Sequence, residues 1–532
     1  MDKMSSFAET IFKRTYAFSD TETWDQCAKR VAKYVAGDNE KDYNDYYRVI
    51  STKKFMPGGR YLYSAGREIP QTSNCFLLKV KDSREGWGKL LDITVQALTT
   101  GGGVGINYSE IRGKGAEIKR YGGTSSGPIS LMAMVNEVAR HVMSGGKRRS
   151  ALWAGLNWQH PDIEDFIKAK TWSTKIRALK EEDFNFPAIL DMTNISVCLD
   201  DKFFKEIKTN EEVQNLYYRI CKSMCKTGEP GFSVDLGKHK TQILRNPCCE
   251  VVSDRDEDVC NLGSVNLARI DSLDELEEVT RIGTRFLYMG TYVGWLPHQV
   301  FKEAREANRR IGLGIMGVHE WCLRNDLSYD PSGLFAEWLS VWKAVSNEEV
   351  KRVANETGGA VSEGVRAVAP TGTIGIIAET TTGIEPVFCR AYKRRYLDEQ
   401  QKWQFQYVID PTVKRLVDTR KMNPEDVEDT FTLATRVERR IAMQAFIQDY
   451  VDQAISSTIN VPEFGEYGNS NAKKFADALL KYLPRLRGIT VYPDGARAGQ
   501  PITPLKYATA IKHTDVVFQE SDERCAQGVC SI

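Results

Sequence analysis

The chain has 532 residues and a mass of 60.1 kDa, with 42% hydrophobic and 27% charged residues, as in a globular protein with a large core. Lys and Arg number 72 against 71 Asp and Glu, and a net charge of +1 argues against a nucleic-acid coat or a polybasic membrane binder. No run approaches the roughly 18 apolar residues of a membrane span, the charged start MDKMSSFAETIFKRTY lacks the apolar centre of a signal peptide, and twelve Cys are too sparse for a disulfide scaffold. The reading is a cytoplasmic protein with neither a membrane nor a nucleic-acid partner.

Residues 1–50 read as amphipathic helices. MPGGR (56–60) is a turn, and YLYSAG (61–66) a short strand or loop on the way to Cys75. CFLLKV (75–80) is strand-like. Residues 82–100 carry helical periodicity, stopped by GGGVG (101–105). The polar, Gly-rich stretch 106–127 reads as loop. Residues 129–143 form a helix with an apolar face, halted by the basic SGGKRRS (144–150). FNFPAIL (184–190) and NISVCL (194–199) look like strands, and EEVQNLYYRICKSMCK like a helix. RNPCCEVV (245–252) and VCNLGSVNL (259–267) are strand–turn fragments. IGLGIMGVHEWCL (311–323) is buried and Gly-rich. AVAPTGTIGIIAETTTGIEPVF (367–388) is strand, turn, then helix, with IIAE opening the helix. Residues 429–455 look helical, and SSTINVP and GITVYP look like strands. Alternating strands and helices predict an α/β protein.

The most informative segment is Asn246-Pro247-Cys248-Cys249-Glu250. Pro247 disfavours helix and pushes Asn246 toward extended backbone. In an extended chain, residues two apart share a side, so Asn246, Cys248 and Glu250 present an amide, a thiol and a carboxylate together. That set suits a reaction centre. It equally suits a strand with a buried Cys and a surface Glu.

NPCCE followed by CNLGSVNL resembles the active-site finger of the ribonucleotide reductases. SNCFLL (73–78), TGGGVGINYSEIRGKG (100–115), GTSSGPISLM (123–132), GGKRRS (145–150) and HPDIEDFI (160–167) are similar to family segments, in order. So are APTGTIGIIAETTTGIEPVF, VDQAISSTINVPE (451–463) and TVYPDGARAG (490–499). The resemblance spans roughly residues 51–532.

It implies a fold of ten strands in an α/β barrel of two antiparallel five-strand halves around a central finger loop. Three segments follow: an N-terminal helical segment (1–50), the catalytic barrel (51–493) and a flexible tail (494–532). Cys248 resembles the thiyl-radical Cys that abstracts the ribose 3′ hydrogen. Glu250 would accept the 3′-hydroxyl proton, and Asn246 would hydrogen-bond the sugar hydroxyls. Cys75 and Cys260 would close to a disulfide as the 2′ hydroxyl leaves as water; two thiols supply the two electrons required. Cys525 and Cys530, on a polar terminus, would reopen that disulfide and pass electrons from a thioredoxin or glutaredoxin-type reductant. A zinc half-site is the rival for those two Cys, weakened by their x4 spacing and by the lack of a nearby His.

The resemblance also puts Gly102 and Gly103 beside the substrate base or ribose. Thr371, Gly372, Thr373 and Ile374 would bind the substrate phosphate, with Gly375 letting the backbone approach. Asp82, Ser83, Arg112 and Lys119 resemble a specificity-effector site for a deoxynucleotide or ATP, an acid for ribose hydroxyls and bases for phosphates. GGKRRS resembles the loop that relays effector identity. Cys27, Cys198, Cys221, Cys225, Cys249, Cys322 and Cys389 are read as thiols with no role.

The family divides by radical source. The only Tyr-Tyr pairs, 46–47 and 217–218, precede the phosphate motif, unlike the C-terminal pair of the class with a radical-generating partner. The glycyl-radical class lacks the glutamate that Glu250 provides. TVYPDGARAG resembles the adenosylcobalamin-dependent class II, so adenosylcobalamin is the expected cofactor, with its contacts unassigned and no metal site. About 50 residues precede the first motif, too few for an ATP-cone. The absence of a long insertion between Cys75 and Arg149 implies a homodimer, with helices 83–99 and 129–143 paired across it. The alternatives are a class I catalytic subunit and a nucleotide-binding redox or zinc protein.

Overall fold

Three capped helices open the chain: α1 (Ser6–Thr15), α2 (Trp24–Ala36) and α3 (Glu40–Ser51). Ser5, Thr23 and Asn39 accept from Ala8 N, Gln26 N and Asp42 N, satisfying first-turn donors that the helix itself leaves open. Their apolar faces bury Phe12, Val31, Tyr46 and Ile50 in a cluster shared with Phe55, Phe286 and Leu313. The structure is a computed structural model and describes residues 4–119, 122–144, 148–183, 185–397, 403–465, 468–494, 502–513 and 517–519.

The chain then builds β1 (Phe55–Pro57), β2 (Cys75–Lys79), β3 (Gly103–Asn107), β4 (Leu152–Asn157), β5 (Thr193–Asp200) and β6 (Gly231–Asp235). A short hairpin, β7 (Leu244–Arg245) and β8 (Val252–Ser253), precedes β9 (Asp258–Asn266) and β10 (Ile311–Met316). β11 (Thr458–Val461) and β12 (Gly488–Pro493) follow. Among the described residues, ten of these strands share one sheet, in the order β1-β9-β2-β3-β4-β5-β6-β12-β11, with β10 also on β9. β2 through β6 are parallel neighbours. β9 and β10 are parallel, as are β11 and β12. The two runs meet antiparallel at two seams, β2 with β9 and β6 with β12. Parallel bridges Leu313 to Arg366 and Val368 to Ile455 lead from β10 toward β11. All nine residues of β9 and all six of β10 are buried, which fits strands covered on both faces.

α4 (Arg84–Thr99) starts at Ser83, whose Oγ accepts from Gly86 N at 2.9 Å. It packs beside α5 (Pro128–His141). α4 buries one face against β3 and α5 one against β4, with Leu90, Ile93, Leu131 and Val135 in one shared core cluster. The far side leaves Val95 38% and Met134 46% exposed. No helix among the described residues is long and apolar enough to cross a membrane.

Several expectations are overturned. The first four residues of YLYSAG lie in a helix, Gly59–Ser64, that starts from Gly58 directly after β1 rather than running extended. FNFPAIL forms no strand over its described residues; Pro187 lacks the N–H a ladder needs. GGGVG does end α4, but its last three residues open β3, a central parallel strand, where loop was expected. The helical stretch near 429–455 is two helices, Thr430–Ala434 and Val437–Gln448.

Candidate active site

β7 and β8 pair antiparallel, Arg245 with Val252 and Leu244 with Ser253, so residues 246–251 form a fingertip. The expected extended display of Asn246, Cys248 and Glu250 is therefore wrong. The tip is a β-turn, closed by Cys249 N donating to Asn246 O at 2.9 Å. Pro247 sets the first corner, as its fixed φ favours. Cys249 takes the left-handed conformation, φ +68°, which turns the chain back toward Glu250. Asn246 locks the base of the loop: its Oδ1 accepts from Val251 N at 2.9 Å.

The finger is bolted to the sheet. Asn107 Nδ2 donates to Ile243 O, and Asn194 Nδ2 donates to Pro247 O, both at 3.0 Å. Ala454 N donates to Glu250 O at 2.9 Å. Arg245, fully buried, donates to Asp235 Oδ1 at 2.5 Å and to Arg487 O at 3.2 Å, binding the finger to β6 and to the residue before β12. The glycines of GGGVG form its seat. A Cβ on Gly103 would fall 2.7 Å from Pro247 Cγ, and one on Gly105 only 1.7 Å from Arg245 O. A Cβ on Gly102 would instead strike the Phe76 ring at 2.0 Å. These close approaches are what the glycine run accommodates, a function the sequence reading missed although the i, i+2 spacing of Gly103 and Gly105 marks one strand face.

Cys75 and Cys260 stand directly opposite each other in the β2–β9 seam. Facing residues of an antiparallel pair lie roughly 4.5–5.5 Å apart at Cα, within the span a disulfide bridges. Both thiols are buried in a small cluster with Leu77 and Leu262 of the seam and Leu244 and Val251 of the finger. Asn246 Nδ2 donates to Cys75 Sγ at 2.9 Å, linking fingertip to seam. Cys248 is an exposed residue while its loop neighbours Asn246, Cys249 and Glu250 are buried.

The electrostatics suit hydrogen-atom and proton chemistry. Burial, with the Glu250 carboxylate nearby, pushes the Cys75 thiol well above its ordinary range; protein packed around the Cys248 sulfur, again with Glu250, pushes it the same way although the residue is exposed, so both are neutral S–H groups at pH 7. Burial likewise raises Glu250, to about 7, against the lowering effect of Asn246. Its Oε2 is buried and has no hydrogen-bond partner among the described residues. A carboxyl poised near neutrality with an open acceptor is what a general base needs.

The other expected residues fall in two further places. Thr371, left-handed at φ +53°, caps a helix, Gly372–Ala378, that begins four residues earlier than the expected IIAE. Thr371 Oγ1 accepts from Gly383 N at 2.7 Å, which folds the following loop back onto it. Gly372 is exposed, with open space where a side chain would be, whereas Gly375 makes room for Thr382. Ile374 is buried and Thr373 half-buried. On the outside, Arg112 Nε donates to Asp82 Oδ2 at 2.6 Å beside the cap Ser83. Lys119 is exposed on the adjoining turn that the Glu117–Thr124 bridge closes. The seven Cys read as inert are all buried. Cys525 and Cys530, and residues 145–147 of GGKRRS, lie outside the described residues.

A fingertip thiol, a carboxyl near neutrality and a facing dithiol, all set on one sheet, coincide with the family comparison. The model of the ribonucleotide reductase barrel domain matches residues 73–226, 208–336 and 335–491, and that of the ribonucleotide reductase all-alpha domain matches residues 2–70. The chain belongs to the ribonucleotide reductase family. It is 28% identical to a Mycobacterium tuberculosis protein named vitamin B12-dependent ribonucleoside-diphosphate reductase, over 97% of this chain and 83% of the relative. A Thermoplasma acidophilum protein of the same name is 28% identical, over 86% of this chain and 66% of the relative. The ribonucleoside-diphosphate reductase large chain of Schizosaccharomyces pombe is 27% identical over 57% of this chain and 43% of its own length.

Proposed function

We propose that this chain reduces ribonucleotides to 2′-deoxyribonucleotides as an adenosylcobalamin-dependent class II enzyme. The observation that carries it is the Cys75–Cys260 pair, facing across the seam and tied to the finger through Asn246. The names of the Mycobacterium and Thermoplasma relatives support the cofactor.

The residues fit such a cofactor at one point: Cys248 is the exposed residue of an otherwise buried finger. When bound, adenosylcobalamin supplies the radical equivalent that removes the Cys248 hydrogen atom. Cys248 then takes the 3′ hydrogen of the ribose. Glu250 takes the 3′-hydroxyl proton through its open Oε2. Asn246, whose Nδ2 reaches Cys75 and whose side chain also hydrogen-bonds Glu250, sits where it can hydrogen-bond the sugar hydroxyls once substrate displaces one of these partners. Cys75 and Cys260 give two electrons as the 2′ hydroxyl leaves as water, and close to a disulfide.

The reading extends to its surroundings. The strand runs, with their antiparallel seams and bridges, support the ten-stranded barrel of two halves over 51–493, preceded by the helical segment 1–50 and followed by the tail 494–532. Backbone at Gly102 and Gly103 and residues Thr371–Ile374 take the substrate; Asp82, Ser83, Arg112 and Lys119 take a deoxynucleotide or ATP effector. The Val95 and Met134 faces of α4 and α5 meet a second copy. Cys525 and Cys530 pass electrons from a thioredoxin or glutaredoxin-type reductant in the cytoplasm.

The test is deoxyribonucleotide formation from CDP and CTP with dithiothreitol and mixed effectors, with and without adenosylcobalamin. Product only with the cofactor is expected, and the preferred substrate fixes the phosphorylation level. No product in either case, from folded protein that binds nucleotides, moves the assignment to a class I catalytic subunit.

A further inference from the structure

Arg310 is 1% exposed, and its guanidinium is held by a carboxylate that is itself fully buried: Nε donates to Asp258 Oδ2 at 2.7 Å. Its Nη2 donates to Ser253 Oγ at 3.2 Å and lies 3.6 Å from the half-exposed Glu363 carboxylate, and Nη1 has no partner among the described residues. Buried ion pairs of this kind contribute little net stability, because desolvation offsets the attraction. Their position here is informative.

Asp258 and Cys260 are two apart on β9, hence on one side of the strand. The parallel ladder pairs Asn261 with Ile311 and Leu262 with Gly312, so one step back sets Arg310 beside Cys260. Gly312 confirms which side faces the thiol, since a Cβ there would lie 3.4 Å from Cys260 Sγ, and Arg310 is two residues before it. Gly364 leaves room for the guanidinium: a Cβ there would be 2.4 Å from Nη1. Cys75, across the seam, has Asn246 and the Glu250 carboxylate for neighbours and no such cation.

Resting on the redox-pair reading above, we propose that Arg310 is a positioning residue that gives the Cys75–Cys260 disulfide a direction of opening, by stabilising Cys260 as the departing thiolate. An incoming thiolate bonds to Cys75 Sγ, the Cys75–Cys260 bond breaks, and its electron pair leaves on Cys260. A second thiol of the reductant then displaces the mixed disulfide, freeing Cys75. The reductant is oxidised to its own disulfide, and Cys260 takes a proton from solvent. Leaving groups of lower pKa depart faster, and the buried guanidinium favours the anion. Among the charged groups around Cys260, Arg310 opposes the effect of burial, while Asp258, Glu250 and Asp452 reinforce it.

The experiment uses the full chain, oxidised with glutathione disulfide, with the Cys75–Cys260 linkage verified by peptide mapping. Its reopening by dithiothreitol is followed by site-resolved alkylation, without any cofactor. Arg310→Met should slow reopening about threefold to tenfold, Arg310→Lys should restore most of the rate, and Asp258→Asn, which removes the buried carboxylate and leaves the cation only the more distant Glu363, should speed it. The mixed disulfide trapped at low reductant should sit on Cys75. Rates independent of charge in folded variants, or a mixed disulfide on Cys260, would overturn the proposal. Failure to form the Cys75–Cys260 linkage at all would instead overturn the redox pair, and this proposal with it.

Discussion

The carbonyl oxygen of Arg245 occupies the place a side chain on Gly105 would need, 1.7 Å from the Cβ position. The finger and the sheet therefore touch backbone to backbone. Gly105→Ala cannot be relieved by a rotamer change and must push the finger off its seat. A loss of at least about 2 kcal/mol in stability is expected, the range of severe overpacking, together with loss of turnover. Gly103→Ala meets only the edge of the Pro247 ring, at 2.7 Å, and should be milder in both. Urea unfolding and turnover of the two variants check the order.

Glu250 should separate function from stability. Its folded pKa, about 7, lies above the ordinary carboxyl value of 4.5. Between those values the folded state holds the proton more tightly, so stability falls as pH rises from about 4.5 to about 7 and levels off above. Glu250→Gln removes that cost and should stabilise the protein at pH 8 by about 3 kcal/mol. The same change should lower turnover about 10²- to 10⁴-fold. In the wild type, activity should rise with pH through about 7, as the carboxylate forms. Unfolding at pH 5 and 8 and a pH–rate profile measure all three.

Cys248→Ser should abolish turnover and leave nucleotide binding intact, because the residue is exposed at the fingertip and the hydroxyl replaces the thiol with little change in size. Equilibrium binding of substrate and a product assay decide it. Retained multiple turnover would remove Cys248 from the reaction.

The outward faces of α4 and α5 expose Val95 and Met134. Glu at both positions should convert a dimer into a monomer, with unfolding midpoints little changed, since neither residue packs on its own sheet. Sedimentation velocity with effector present reads the outcome; a wild-type monomer under those conditions would exclude the interface.

Much of this arrangement was legible in the sequence where chemistry and spacing coincide. The segments around Cys75, Cys248 and Cys260 carry residue types that few structural roles demand together, and the helices 82–100 and 129–143 carry clear periodicity. The fingertip's geometry was not legible. Pro247 is compatible with both an extended strand and a turn, and only the left-handed Cys249, held by Asn246, selects the turn. β3 was hidden because glycine is a poor strand former by propensity; tertiary contact with the finger, not local preference, makes Gly103–Asn107 a strand. Arg310 stood out in no pattern, since its meaning depends on β10 lying beside β9.

The seam where Cys75 and Cys260 face each other joins strand runs that are about 185 residues apart in the sequence. Closing that pair clasps the two runs covalently. A cross-link around so long a loop restricts the unfolded chain by an amount worth about 5 kcal/mol. On the proposed chemistry, spent protein, awaiting electrons, is expected to be the heat-resistant form, and protein ready to react the softer one. A melting curve then reports oxidation state directly, with the reduced fraction unfolding first.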